Sequence, residues 1–152
     1  MEESVEHRDY FMLALCLWRE ARGEGPDGMT AVGCVVRNRV VRNVSSYYEE
    51  VVKPLQFSSI TAPGDHQLCL YSHENDHSWQ VAEEIARKII DREIGDLTAG
   101  ATLYWNPAGI AEKDSKPYTL KDGSIVRFPG SWNPHAVLQT VRIGAHIFLR
   151  EV

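Results

Sequence analysis

The sequence predicts an α+β protein, mainly helical, with a small antiparallel sheet or hairpin in its C-terminal half. Three observations carry this. Apolar residues recur at helical spacing through most of the N-terminal two-thirds. Past Gly100 the pattern changes to short alternating runs separated by turn residues. The 152 residues suffice for one real core, and no Pro/Gly-rich linker divides them, so a single domain over 1–152 is expected.

The elements follow in order. Asp9 is a candidate N-cap for a first helix from Tyr10 to about Arg22. Phe11 to Trp18 are apolar on every face, which reads as a helix buried in the core. Gly23, Gly25 and Pro26 stop it. A second helix begins near Asp27, with Met29, Val32, Val36 and Val40 on one stripe; its many valines make a strand the competing reading. Ser46 and Glu49 form a capping-box pattern for a short helix through Val52, ended by Pro54. Thr61 to His77 is polar and irregular. Ser78 then caps an amphipathic helix with Ala82, Ile85, Ala86, Ile89 and Ile90 on one face, ended by Gly95. Ala101 to Trp105 reads as a short strand, and Thr119 to Phe128 as a hairpin around Asp122-Gly123. Val141, Ile143, Ala145 and Ile147 alternate as a last strand, with a helix as the alternative.

Composition excludes several classes. Hydrophobic residues at 43% and charged residues at 24% argue against disorder. The net charge of -5 and the lack of a basic block give no nucleic-acid footprint. The longest apolar run, Tyr10 to Trp18, is too short to span a bilayer, so no membrane insertion is expected. It lacks a positive region before it and a small-residue cleavage site after it, so it is not a signal peptide. Synthesis in the cytoplasm without a cleavable signal is the expectation. Cys16, Cys34 and Cys69 are too few and too odd in number for a disulfide framework; the first two sit in apolar stretches and read as small hydrophobes.

The most informative segment is Glu20-Ala21-Arg22-Gly23-Glu24-Gly25-Pro26. Glu20 follows an apolar helix and precedes a glycine-broken turn. The helix C-terminus carries partial negative charge, and apolar neighbours such as Trp18 add a desolvation penalty; both favour the protonated form that a general acid needs. Arg19 and Arg22 act the other way if they contact it. Glu24 would share a face with Glu20 on a continuous helix, but the glycines and proline break that continuity. Only one well-placed carboxylate is therefore visible, where a conventional glycosidase uses two. On the local pattern alone, both glutamates read as solvated charges at a helix end.

The segment nevertheless resembles the SleB-type cell wall hydrolases, the spore-cortex-lytic family. The resemblance runs through Glu20-Ala21-Arg22-Gly23-Glu24, Gly28, Ala31-Val32, Val35-Val36 and Asn38-Arg39-Val40 to Gln56-Phe57-Ser58. It resumes at Asp96, Thr98, Gly100-Ala101 and Tyr104, and closes at Trp132, Ile143-Gly144, His146 and Phe148. Thr61 to His77 and Gly109 to Pro117 fall outside it. The resemblance implies a goose-type, lysozyme-like fold and a lytic transglycosylase that cleaves between N-acetylmuramic acid and N-acetylglucosamine in peptidoglycan. Glu20 is the implied catalytic acid and then base, with an anhydro-muramic product. Glu24, Gln56, Ser58 and Tyr104 are the expected substrate-binding residues. The close variant is a muramidase that hydrolyses the same bond with water. A non-catalytic glycan-binding or virion structural module is the reading of a different class.

The other candidates weigh as follows. Gln56 and Ser58 suit hydrogen bonds to an N-acetyl group or hydroxyl, or else close a helix. Tyr104 and Trp105 point to opposite faces of a strand, which favours Tyr104 for the groove and Trp105 for the core. Asp96 and Thr98 shape a turn, His146 reads as structural, and Trp132 either lines a cleft or covers the core. His66, Cys69, His73 and His77 are zinc-ligand types without a finger spacing, so a polar loop is favoured over a zinc hydrolase and no cofactor is expected. Peptidoglycan carries carboxylates, to which the acidic balance is a mild objection. The expected partner is the peptidoglycan glycan strand. Action at the cell wall fits a phage-encoded lysis enzyme released through a separate pore. It fits equally a truncated bacterial enzyme or one exported without a cleaved signal.

Overall fold

The computed structural model describes residues 5–53, 57–63, 65–73 and 75–152. They form two compact units, Met1–Leu97 and Thr98–Val152.

The first unit is helical. Its helices are α1 (His7–Ala21), α2 (Gly25–Asn43), α3 (Tyr47–Val52), the single turn α4 (Ser58–Thr61) and α5 (His77–Ile90). The core lies among α1, α2 and α5, where Leu13, Leu17, Val32, Val35, Val36 and Ile89 are fully buried. Cys16 and Cys34 are buried in the same core as free thiols.

Helix α1 starts three residues earlier than the sequence suggests. Glu6 is its N-cap, and Asp9 sits at N3 of a reciprocal capping box, accepting from the Glu6 backbone N–H at 2.9 Å. The second oxygen of Asp9 accepts from the Tyr48 N–H at 2.8 Å, so this buried carboxylate joins the starts of α1 and α3. The valine-rich stretch is a helix, not a strand. Its residues Ala31 to Arg37 are buried without interruption, so packing on several sides overrides the β-propensity of valine.

Ser46 caps α3 as expected, accepting from Glu49 N–H at 3.0 Å. The expected stop at Pro54 lies outside the described residues. Helix α5 is capped by Asp76 rather than Ser78; the Asp76 carboxylate accepts from the backbones of Ser78 and Trp79. It ends at Ile90, before Gly95. The chain turns at Arg92 (φ 59°), and the buried Arg37 of α2 donates to Ile94 O at 2.7 Å. Arg92 thus takes the left-handed place expected of the glycine, and Arg37 also donates to Ile89 O in the last turn at 3.4 Å.

Val44 closes α2 in the left-handed region (φ 49°, ψ 52°) with 86% of its surface exposed. A β-branched residue is strained there and gains nothing from burial. Val44→Gly should raise stability by about 0.5–1 kcal/mol, read as a higher urea midpoint with an unchanged slope.

The second unit carries β1 (Leu103–Trp105), β2 (Ser115–Thr119), β3 (Ile125–Pro129), β4 (Val137–Ile143) and β5 (His146–Glu151). Strands β1, β5 and β4 form one antiparallel sheet in that order, and β2 pairs with β3. The Asp122-Gly123 turn is where the sequence places it, although β2 begins earlier, at Ser115. The expected single last strand is two strands. A two-residue turn at Gly144-Ala145, with Gly144 at φ 57°, folds β5 back on β4. The alternation of apolar residues survives across that turn, which is why it read as one strand. Trp105, Leu120, Phe128, Val137, Ile147 and Leu149 form this unit's core, and Tyr118 stacks on Phe128 at 4.4 Å.

Among the described residues no helix is long and apolar enough to cross a membrane.

Candidate active site

Glu20 lies in the last turn of α1 and is half-buried. One turn earlier sits Cys16. Its thiol is pushed well up, first by complete burial and then by the Glu20 carboxylate, while Arg39 and Arg19 act the other way. Glu20, Arg19 and Arg39 therefore all act electrostatically on this one buried thiol. Arg39 is itself buried, with its guanidinium 5.3 Å from the Phe57 ring centre.

The two arginines flanking Glu20 have structural contacts. Arg19 donates to Leu70 O at 3.1 and 3.2 Å and packs over Tyr71. Arg22 lies 4.2 Å over the Trp18 ring and donates to Trp18 O at 3.0 Å and to Gln67 Oε1 at 2.9 Å. Both pin the segment 67–71 to the end of α1. Spacing alone gives no sign of this, because the partners are some fifty residues away and mostly backbone carbonyls. The Trp18 indole N–H meets Ser78 Oγ at 2.9 Å, which holds the start of α5 against the same end.

The turn after Glu20 is built for a sharp change of direction. Arg22–Glu24 form a 3-10 turn, so α1 and α2 are not continuous and the two glutamates are not on one helical face. Gly25 has φ 77° and ψ −175°, a region essentially closed to other residues. Pro26 then opens α2, and Thr30 Oγ1 donates to Pro26 O at 2.8 Å. Glu24 is the N-cap residue of α2, half-buried, and folds over Gly28. A Cβ at Gly28 would stand 2.3 Å from Glu24 Cβ. That glycine is what lets the Glu24 side chain lie against the helix.

Asn38 of α2 donates to Asp96 Oδ2 at 3.0 Å, and Cys34 Sγ lies 3.7 Å from Gly95 O. Helix α2 is thus held to Gly95 and Asp96 within the first unit, which the sequence does not reveal.

The remaining expectations distribute as follows. Gln56 lies outside the described residues. Ser58 begins α4, which packs against α1. Tyr104 is in the second unit, half-buried on β1, edge-on to His146 at 5.2 Å and tilted against Phe148 at 5.7 Å. Trp105 faces the other way into the core and donates to Arg127 O at 2.7 Å. His146 is buried, and Trp132 covers the core against Trp105 and Phe128. His73 and His77 are exposed, the side chains of His66 and Cys69 are outside the described set, and among the described residues no group of His, Cys, Asp and Glu is arranged to hold a metal. Neither large described cavity is lined by Glu20. One of 390 Å³ lies between the N-terminal half of α1 and α5, around Phe11 and Trp79; one of 300 Å³ lies in the second unit.

The first unit thus holds a buried core helix that ends in a half-buried glutamate, and the second a small antiparallel sheet. The chain belongs to the cell wall hydrolase family, which matches residues 23–149. That match begins three residues after Glu20 and includes Glu24. The structure is similar to the catalytic domain of the germination-specific lytic transglycosylase SleB from Bacillus anthracis, at TM-score 0.66 and 23% identity, covering 99% of this chain and 100% of that one. It is similar also to the catalytic domain of the Bacillus cereus SleB protein, at TM-score 0.64 and 23% identity, covering 99% and 95%. At that identity the likeness is one of fold. No curated protein sequence matches the chain.

Proposed function

We propose that this protein is a lytic transglycosylase that cleaves the bond from N-acetylmuramic acid to N-acetylglucosamine in peptidoglycan glycan strands, with Glu20 as acid and then base. Membership of a cell wall hydrolase family supports an enzyme acting at the wall. A fold shared over nearly the whole chain with a lytic transglycosylase domain supports the reaction type. The family match crosses the division between the two units, which supports residues 1–152 as one catalytic domain.

The observation that carries the mechanism is the break in the helix between Glu20 and Glu24. The 3-10 turn Arg22–Glu24 separates α1 from α2, so Glu20 and Glu24 do not form a carboxylate pair on one helical face. One carboxyl group suffices when the nucleophile is part of the substrate. Glu20 donates its proton to the glycosidic oxygen as the bond from that oxygen to the muramic C1 breaks; the oxygen leaves as the glucosamine 4-hydroxyl. The muramic 6-hydroxyl then attacks C1 and returns its proton to the Glu20 carboxylate, which closes a 1,6-anhydro ring and restores the enzyme. An intramolecular attack has a high effective concentration and needs no second carboxylate to place water. Glu24, Gln56, Ser58 and Tyr104 are proposed to bind the strand through hydrogen bonds and, for Tyr104, ring contact with a sugar face.

Digestion of purified sacculi followed by mass spectrometry tests this. The expected muropeptides end in anhydro-muramic acid. Reducing ends, heavier by one water, would replace the reading by the muramidase, and sedimentation with sacculi without any product would replace it by the non-catalytic module.

A further inference from the structure

We infer that the second unit carries a binding notch for the carboxylates of peptidoglycan's peptide stems, formed by Lys121 and Arg150. This rests on the peptidoglycan reading above and adds to it the acidic peptide as a recognised part of the substrate.

The chain's acidic balance is confined to the first unit. Residues 98–152 hold six Lys and Arg against four Asp and Glu, a net charge of +2 within a protein of -5. The 300 Å³ cavity of this unit is lined by Ala99, Lys121, Leu138, Gln139, Thr140 and Arg150, two cations and no acid. Among the described residues neither cation forms a salt bridge, whereas Arg127 of the same unit is paired with Glu112 at 3.2 Å. An anionic ligand would supply the missing partner.

Two backbone irregularities meet there. The register of β4 against β5 slips between Gln139 and Val141, so Thr140 is the extra residue of a bulge. Bulges re-aim side chains and recur beside binding sites. Ala99, which also lines the cavity, is held at φ 52°, a left-handed conformation that alanine adopts at a cost. The Lys121 N–H donates to Gln139 Oε1 at 3.0 Å, which fastens the β2–β3 turn to β4. The amide nitrogen of Gln139 remains a donor for a ligand carbonyl.

The lining selects among anions. Leu138, 48% exposed, and Ala99 put apolar surface beside the two cations. A compact phosphate makes no use of it, whereas a short peptide bearing a methyl group and a carboxylate fills both halves.

The probe is N-acetyl-alanylglutamate, titrated into the 152-residue protein and followed by amide chemical shifts. Shifts are expected at 121, 138–140 and 150, weakening as salt is raised. Lys121→Gln/Arg150→Gln should bind about five- to tenfold more weakly. The control Lys113→Gln/Arg127→Gln removes the same charge elsewhere in the unit and should bind as the parent does. Equal loss in both double variants, shifts confined to other residues, or displacement of the dipeptide by equimolar inorganic phosphate would overturn the inference. Binding is read without turnover. A failure of sacculus cleavage therefore strikes the proposed reaction, and a failure of the titration strikes the notch.

Discussion

Glu20→Gln should abolish muropeptide release from sacculi while the protein keeps its fold. The substitution preserves the size of a half-buried side chain at the end of α1 and removes its exchangeable proton. General acid–base catalysis contributes about 10²–10⁴-fold, and here one group performs both transfers, so a loss of at least about 10³-fold is expected. Circular dichroism and the melting profile should remain those of a folded protein. Glu24→Gln, at the N-cap of α2, should leave the proton transfers in place and weaken strand binding, seen as a raised KM with kcat retained. Undiminished cleavage by Glu20→Gln, or a kcat collapse in Glu24→Gln alone, would move the catalytic role to the second glutamate.

The largest expected effect on stability is at Glu50, which has no place in the proposed chemistry. Its carboxylate is fully buried and accepts from Asn43 Nδ2 at 2.9 Å, Ser45 Oγ at 2.7 Å and Lys53 Nζ at 3.1 Å. Burial pushes this carboxyl up, but the hydrogen bonds from Ser45, Asn43 and Lys53, with the lysine charge, outweigh it and hold it below its ordinary value. The site ties the end of α2 to α3. Glu50→Gln presents an amide where three donors converge, at a cost of about 2–3 kcal/mol at neutral pH. The melting temperature should fall by about 5–10 °C.

A carboxyl group lowered in the folded state stabilises above its unfolded pKa, about 4.3, and loses that contribution as pH falls through the lower folded value. The gap between parent and Glu50→Gln should therefore be widest above pH 5 and close toward pH 3. A gap independent of pH over that range would mean that shape, and not ionisation, is what Glu50 supplies.

Much of the molecule is legible in the linear chain because the physics involved is local. The periodicity of α5, the Ser46–Glu49 cap, the Asp122-Gly123 turn and the break after Glu20 depend on neighbours a few residues apart. The motif residues around Glu20, with those near Asn38, Asp96 and Tyr104, sufficed to indicate the family that the comparisons bear out. Helix ends were less legible, since a cap depends on which of several polar residues reaches the free N–H groups. Asp76 and Glu6 reach them, where Ser78 and Asp9 were the expected caps.

Tertiary structure alone decided the rest. The α2 valines are helical because buried packing outweighs a preference of a few tenths of a kcal/mol per residue. Arg19 and Arg22 also donate hydrogen bonds to a loop some fifty positions away, which their place beside Glu20 in the sequence does not show. The final alternating stretch is two strands because one glycine takes a left-handed turn that alternation cannot register. The cationic notch is likewise invisible in the sequence, because its walls come from a turn, a bulge and two strand ends that only folding brings within reach. A chain encodes which residues bond to their near neighbours; which distant groups then share a dry or charged space depends on the packing of the whole.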